Sequence, residues 1–275
     1  MKKRGTTIIL LLVLIAGLSL LLYPTVSNWW NTMTQSRAVA SYVEAVAQIG
    51  EDQYAQMWKD AEAYNRSLTQ RSNDYLLSQE QKVAYNQLLD VGGLGIMGYI
   101  EVPSIGVALP IYHGTSEAVL QVAVGHLEWT SLPIGGESSH CVVSGHRGLP
   151  SARLFTDLDK VTVGDVFILR VLDKIFTYEV DQILIVLPHE TDQLQIVEGA
   201  DLCTLITCTP YGVNSHRLLV RGHRVENQAS AITVRATADA TQISPLIVAP
   251  MLAIPVLLVL LIGMLIPKRR KRRFD

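Results

Sequence analysis

Thr204-Leu-Ile-Thr-Cys-Thr-Pro-Tyr-Gly-Val-Asn-Ser-His-Arg217 closes one apolar run with a cysteine and opens the next with an arginine. Leu202 to Thr207 is short and rich in β-branched and aliphatic residues, which predicts a strand. Leu218-Leu-Val-Arg221 predicts another. Between them, Pro210, Gly212 and Asn214 are turn formers. Two strands joined by so short a loop are most simply antiparallel neighbours. Cys208 and Arg217 then stand side by side at one end of a sheet. A thiol beside a fixed cation is a nucleophile with a charge stabiliser at hand. The base such a pair needs has a candidate upstream, in Ser144-Gly-His146-Arg-Gly148, which follows the apolar run Cys141-Val-Val-Ser144.

Together these residues resemble the sortases, the cysteine transpeptidases of Gram-positive cell surfaces. The family's Thr-Leu-x-Thr-Cys motif matches Thr204 to Cys208, its arginine matches Arg217, and its histidine matches His146. The resemblance runs from about Gly98 to Val225 and includes Gly125-His-Leu-Glu-Trp-Thr-Ser-Leu-Pro-Ile-Gly-Gly136. A free cysteine in an apolar run ordinarily packs as a small hydrophobe. The loop, the arginine and the histidine, in this order, separate Cys208 from that case. Cys203, on the opposite face of the same strand, reads as core. His126 reads as structural, and the remaining histidines as solvated or hydrogen-bonded. A Cys141–Cys203 disulfide stays open. The cysteines show no C-x-x-C spacing and no histidine forms H-E-x-x-H, so no metal site and no cofactor are expected.

The fold class is mainly β. Short β-type runs occur at Met97–Val102, Val107–Tyr112, Gln121–Val124, His140–Ser144, Val166–Val171, Ile175–Leu187, Leu202–Cys208 and Arg217–Val225. About eight strands punctuated by Gly, Pro and Asp argue for a closed barrel. The resemblance independently implies the eight-stranded sortase barrel, over residues 97–226. Phe155-Thr-Asp-Leu-Asp159 is expected in a short helix. Ahead of the barrel, residues 24–96 read as a helical region. Trp29 to Leu68 has helical spacing with a break near Gly50, and a third helix is expected over Ser78–Asp90, with Ser78 and Gln81 forming a capping box.

Charge and hydropathy place the chain at a membrane. The formal charge of −2 gives no nucleic-acid signal. An apolar run, Thr6 to Tyr23, follows the basic Met1-Lys-Lys-Arg4, so residues 1–23 are a membrane anchor or a cleaved signal segment. Residues 227–243 read as a linker. Ser244 to Pro267 has no charge and predicts a transmembrane helix, followed by a basic tail over 268–275 in contact with membrane lipid. The positive-inside rule puts both termini in the cytoplasm, unless the first segment is cleaved, and the segment between them outside the cell.

The resemblance also implies the chemistry. Cys208 attacks a sorting signal of the Leu-Pro-x-Thr-Gly type and forms a thioester, which a second amine resolves. His146 is the general acid and base, Arg217 stabilises the oxyanion or the substrate, and Thr207, which points to the opposite face of its strand, has a supporting role in substrate binding. The loop Pro188–Gly199 is expected to line the substrate groove. The two membrane segments, the long helical region and the Cys-Thr-Pro-Tyr-Gly-Val-Asn-Ser-His-Arg run resemble class C sortases, which join pilin subunits through a lysine amine. Pilins or other surface proteins with a sorting signal are the implied partners. Class C enzymes carry a lid with Asp-Pro and an aromatic residue. Here Asp74 and Tyr75, within residues 71–77, keep the acid and the aromatic without the proline. The alternatives are a housekeeping sortase that attaches proteins to cell-wall precursor, a hydrolytic cysteine protease, and a non-catalytic membrane scaffold with a sortase-like barrel.

Overall fold

The computed structural model describes residues 2–69 and 77–227 of the 275-residue chain. Asp74 and Tyr75, nearly all of the expected linker, the second apolar run and the basic tail lie outside the described residues. Two compact units divide the chain, one formed by Met1–Val26 with Arg235–Asp275 and the other by Ser27–Val234.

In the first unit the described residues are the opening turns of helix α1 (Lys2–Ala47). Leu10, Val13, Leu20 and Leu21 on these turns are exposed. Among the described residues this is the one helix long and apolar enough to cross a membrane. The sequence separates an apolar run ending at Tyr23 from a helix beginning near Trp29, but α1 is continuous through Pro24. Proline removes one backbone donor, and the remaining ladder carries the helix past it.

The second unit holds the rest of α1, helix α2 (Glu51–Leu68), helix α3 (Gln79–Tyr85) and an eight-stranded closed barrel. The strands are β1 (Ile96–Val102), β2 (Val107–His113), β3 (Val124–His126), β4 (Ser139–Ser144), β5 (Val166–Val171), β6 (Lys174–Val186), β7 (Asp201–Thr209) and β8 (His216–Val225), in the spatial order β1-β2-β3-β4-β7-β8-β6-β5. A short helix α4 (Glu117–Leu120) precedes β3. The break between α1 and α2 falls where Gly50 predicts it, and the Ser78–Gln81 capping box closes the start of α3.

Two expectations are corrected. The strand expected over Gln121–Val124 begins only at Val124. Ser116 caps helix α4 by accepting from the Val119 N–H, and Gln121–Ala123 follow that helix as a turn instead of extending. Of Phe155–Asp159, only Leu158 and Asp159 are helical, in a single 3-10 turn over Leu158–Lys160. Within β3, a Cβ at Gly125 would lie 2.1 Å from the Gly114 carbonyl oxygen, so only glycine allows β2 and β3 to approach in parallel.

Alternation along β4 and β7 sorts their side chains. Cys141, Val143, Cys203 and Leu205 belong to the main core, while Val142, Ile206 and Leu219 form a second apolar cluster with Trp129 and Leu194. The helices close the core from outside. The Tyr42 hydroxyl donates to the Met97 carbonyl at 2.9 Å and accepts from the Leu172 N–H at 2.8 Å, fully buried. On α2, Asn65 accepts from the Leu132 N–H at 2.7 Å, and Trp58 stacks on Phe176. These contacts are directional and pair buried polar groups, so they fix where the helices sit as well as adding burial.

Candidate active site

Register builds the site. β4 and β7 run parallel, with Cys141 opposite Cys203 and Ser144 opposite Ile206. Two residues beyond that last pair lie His146, just past the end of β4, and Cys208 on β7. The Gly145 N–H donates to the Ile206 carbonyl at 3.0 Å, so the pairing continues up to the histidine. On the other side of β7, Cys208 is the direct antiparallel partner of Arg217 on β8. Three residues that the sequence spreads over 72 positions, from His146 to Arg217, are therefore carried to one end of the adjacent strands β4, β7 and β8.

Each side chain is accessible. Cys208 is half-buried, in contrast to Cys141 and Cys203, and all three thiols are free. The His146 side chain is 27% exposed, and its Nε2 lies 3.7 Å from an Oε of Glu117 on α4. Arg217 donates through Nη1 to the carbonyls of Asn214 at 3.2 Å and His216 at 3.1 Å, which tie its guanidinium to the β7–β8 loop. Asn214 adopts φ +59°, a backbone state that asparagine tolerates better than most residues.

Thr207 does not take the place of a substrate contact. As the neighbour of Cys208 on an alternating strand it points the other way, is buried, and donates from Oγ1 to the Gly145 carbonyl at 2.8 Å. It anchors the segment that carries His146. Cys203 is core, as the alternation predicts. Burial pushes its thiol well above the ordinary range, and the adjacent Cys141 adds to the shift, so Cys203 is held as an unreactive thiol. His126 is structural: Tyr85 Oη lies 2.8 Å from Nδ1 and the Ser131 carbonyl 2.8 Å from Nε2.

A groove of about 240 Å³ is lined by Ser144, Ile206 and Arg217, with Leu127, Trp129 and Leu194 in its apolar wall. Pro188, Glu190 and Thr191 close its side, so the loop before β7 lines it as the sequence suggests. A larger cleft of about 1010 Å³ between α2 and the barrel shares Trp129 and Leu194 but contains none of the three reactive groups. Of the three groups, Arg217 lines the smaller groove, while Cys208 and His146 lie outside its lining. Among the described residues no cluster of three or more His, Cys, Asp or Glu side chains is placed to hold a metal.

Two functional supports escape the sequence. His140, on β4, joins the groove loop to the cysteine strand: its Nδ1 lies 2.8 Å from the Gln195 carbonyl and its Nε2 2.7 Å from the Thr204 hydroxyl. The neutral ring fits both, donating from Nδ1 and accepting at Nε2. Burial, as the main cause, lowers its pKa. Glu117 is the other, because its approach to His146 depends on α4, which the strand expectation overlooked. The signal for it was the Ser116 cap.

A sortase domain family model matches residues 100–225. The structure is similar to sortase C1 from Streptococcus agalactiae, with a TM-score of 0.68 and 50% identity, covering 70% of this chain and all of that one. It is also similar to sortase C of Streptococcus pneumoniae, with a TM-score of 0.64 and 42% identity, covering 70% of this chain and 98% of that one. In sequence, it is 29% identical over 119 residues to sortase A of S. agalactiae, which is 42% of this chain; it spans about half, 48%, of that relative's length. With a cysteine, a histidine and an arginine in the expected register, and 50% identity to a sortase C1 structure that the chain covers in full, the chain belongs to the sortase family.

Proposed function

We propose that the chain is a membrane-anchored cysteine transpeptidase of class C. It cleaves a sorting signal of the Leu-Pro-x-Thr-Gly type and transfers the acyl group to a lysine amine of a pilin subunit. The observation that carries this reading is the register placing Cys208 opposite Arg217 and one strand away from His146. The sortase C of S. pneumoniae is described in terms of pilin substrate specificity, which supports pilin as the acceptor here.

The steps follow from the side chains. The Cys208 thiolate attacks the threonine carbonyl carbon of the signal, forming a C–S bond and moving the carbonyl electrons onto oxygen. Arg217 stabilises that oxyanion with a permanent charge. As the carbonyl re-forms, the C–N bond to glycine breaks and His146 protonates the departing amine. The lysine amine then attacks the thioester carbonyl and gives its proton to His146, and the Cys208 thiolate leaves. The product is an isopeptide bond and the enzyme is restored. A thioester suits this exchange because it reacts readily with amines yet persists while the acceptor arrives.

The apolar wall of the groove fits the leucine and proline of the signal. Asp74 and Tyr75 serve as a lid over the site, the acid pairing with Arg217. The N-terminal helix and the apolar run 244–267 anchor the chain with both termini in the cytoplasm, and the barrel works outside the cell. Incubating the chain with a pilin that carries a sorting signal tests the reading: a covalent ladder is expected, absent in Cys208→Ala. Hydrolysed pilin without a ladder would instead mark a protease.

A further inference from the structure

Arg147 follows His146 directly, yet it is not a solvated loop charge: its side chain is 10% exposed. Its guanidinium engages three separate elements. One nitrogen ion-pairs Asp159 in the 158–160 turn. Nη1 donates to Oγ1 of Thr209, the residue after Cys208, at 3.4 Å. Cζ lies 5.9 Å from the centre of the Tyr211 ring on the β7–β8 loop. Nε is buried with no hydrogen-bond partner, and it is the one buried side-chain nitrogen or oxygen of which this holds among the described residues. A guanidinium held in a dry site with one donor unsatisfied is costly, so its surroundings must fix it strongly.

The contacts continue past Arg147. The backbone on both sides of it is pinned, since Phe155 N–H donates to the His146 carbonyl at 3.1 Å and Gly148 N–H to Thr156 Oγ1 at 3.1 Å. Tyr211 packs flush on Gly148, where a Cβ would lie 2.9 Å from the ring. The loop carrying Tyr211 is a tight turn, with the N–H groups of Val213 and Asn214 both donating to the Pro210 carbonyl. That turn presents the Asn214 carbonyl that holds Arg217. One buried side chain is thus linked to His146 through the backbone, to Cys208 through Thr209, and to Arg217 through Tyr211 and its loop.

We infer that Arg147 is a positioning residue that sets the mutual placement of His146, Cys208 and Arg217. It touches no substrate, because burial and the Asp159 pair keep it out of the groove. Arginine is required over lysine, since only a planar fork can pair with a carboxylate, reach a hydroxyl and lie against an aromatic ring together. The inference rests on the three groups being the catalytic set.

The test uses the full chain in detergent and a quenched fluorescent peptide containing Leu-Pro-Ala-Thr-Gly. Rates are normalised to folded protein from thermal melts. In Arg147→Met, kcat should fall about 30- to 100-fold with KM within about threefold, the scale of a displacement of about 1 Å at a reacting centre. Arg147→Lys should not restore it. If Arg147→Met does not fold, Tyr211→Leu, which keeps apolar packing and loses the ring face, should lower kcat about tenfold by the same argument. Normalised kcat within about twofold of the parent in the folded variants, or full rescue by lysine, overturns the inference while leaving the catalytic reading intact. A parent chain that forms no thioester on Cys208 overturns the catalytic reading, and this inference with it.

Discussion

Cys208 and Arg217 are direct cross-strand partners on β7 and β8, and the arginine is held by two backbone carbonyls, Asn214 in the intervening loop and His216 at the start of β8. Strand register thus places the arginine beside the cysteine, and main-chain carbonyls hold its guanidinium. Arg217→Lys keeps the charge but loses the fixed fork. It should lower kcat/KM on the order of a hundredfold, as should His146→Ala, the usual scale for losing an oxyanion donor or a general acid. Steady-state kinetics with a sorting-signal peptide check both, and near-parental turnover in either variant removes that residue's role.

His140 makes the groove loop sensitive to acid. Its folded pKa lies below the unfolded value of about 6.5, so the unfolded chain binds more protons in that window and stability rises with pH across it. The contribution is complete above about pH 6.5 and is lost as pH falls through the window toward the lowered folded value. His113 is shifted in the same direction, also by burial, so the comparison must be differential. The melting temperature of His140→Asn should fall less between pH 7.5 and 5 than that of the parent. Equal falls would show that the Gln195–His140–Thr204 link contributes nothing to the acid response.

Tyr42 ties α1 to the barrel through one hydroxyl with two backbone partners. Tyr42→Phe leaves the Leu172 N–H and the Met97 carbonyl without it, in a site closed to water. The loss should be about 1–3 kcal/mol, the cost of unsatisfied buried groups. Denaturant melts measure it, while turnover per folded molecule should stay at the parental level. An unchanged midpoint would mean that the helix is held by apolar packing alone.

The lid proposed for Asp74 and Tyr75 is tested through the thiol. Asp74→Ala with Tyr75→Ala should speed alkylation of Cys208 by iodoacetamide and leave the melting temperature nearly unchanged. Identical alkylation rates in parent and double variant would remove the lid from the mechanism.

Much of this arrangement is legible in the sequence because its signals are local. The alternation along Leu202–Cys208 sorts Cys203 from Cys208, and the turn residues Pro210, Gly212 and Asn214 bring Arg217 back beside the thiol. The run Val166–Val171 coincides with β5. The misreadings have physical causes too. Gln121–Val124 has strand-like composition, but a serine cap three residues upstream of Val119 commits the chain to a helical turn first. Arg147 and His140 are invisible as functional supports because what they do depends on Thr209, Tyr211, Gln195 and Thr204, which only the closed barrel brings to them.

The central claim is that Cys208 alone carries the acyl group and that an amine removes it. Intact-mass spectrometry of the full chain with a sorting-signal peptide, before and after adding a lysine-containing pilin segment, reads this directly. The account predicts one adduct of the acyl fragment, located on Cys208 with Cys141 and Cys203 unmodified, absent in Cys208→Ala, and lost to an isopeptide product when the amine is supplied. An adduct that maps to Cys141 or Cys203, or one that decays only to the free acid whether or not the amine is present, would contradict it.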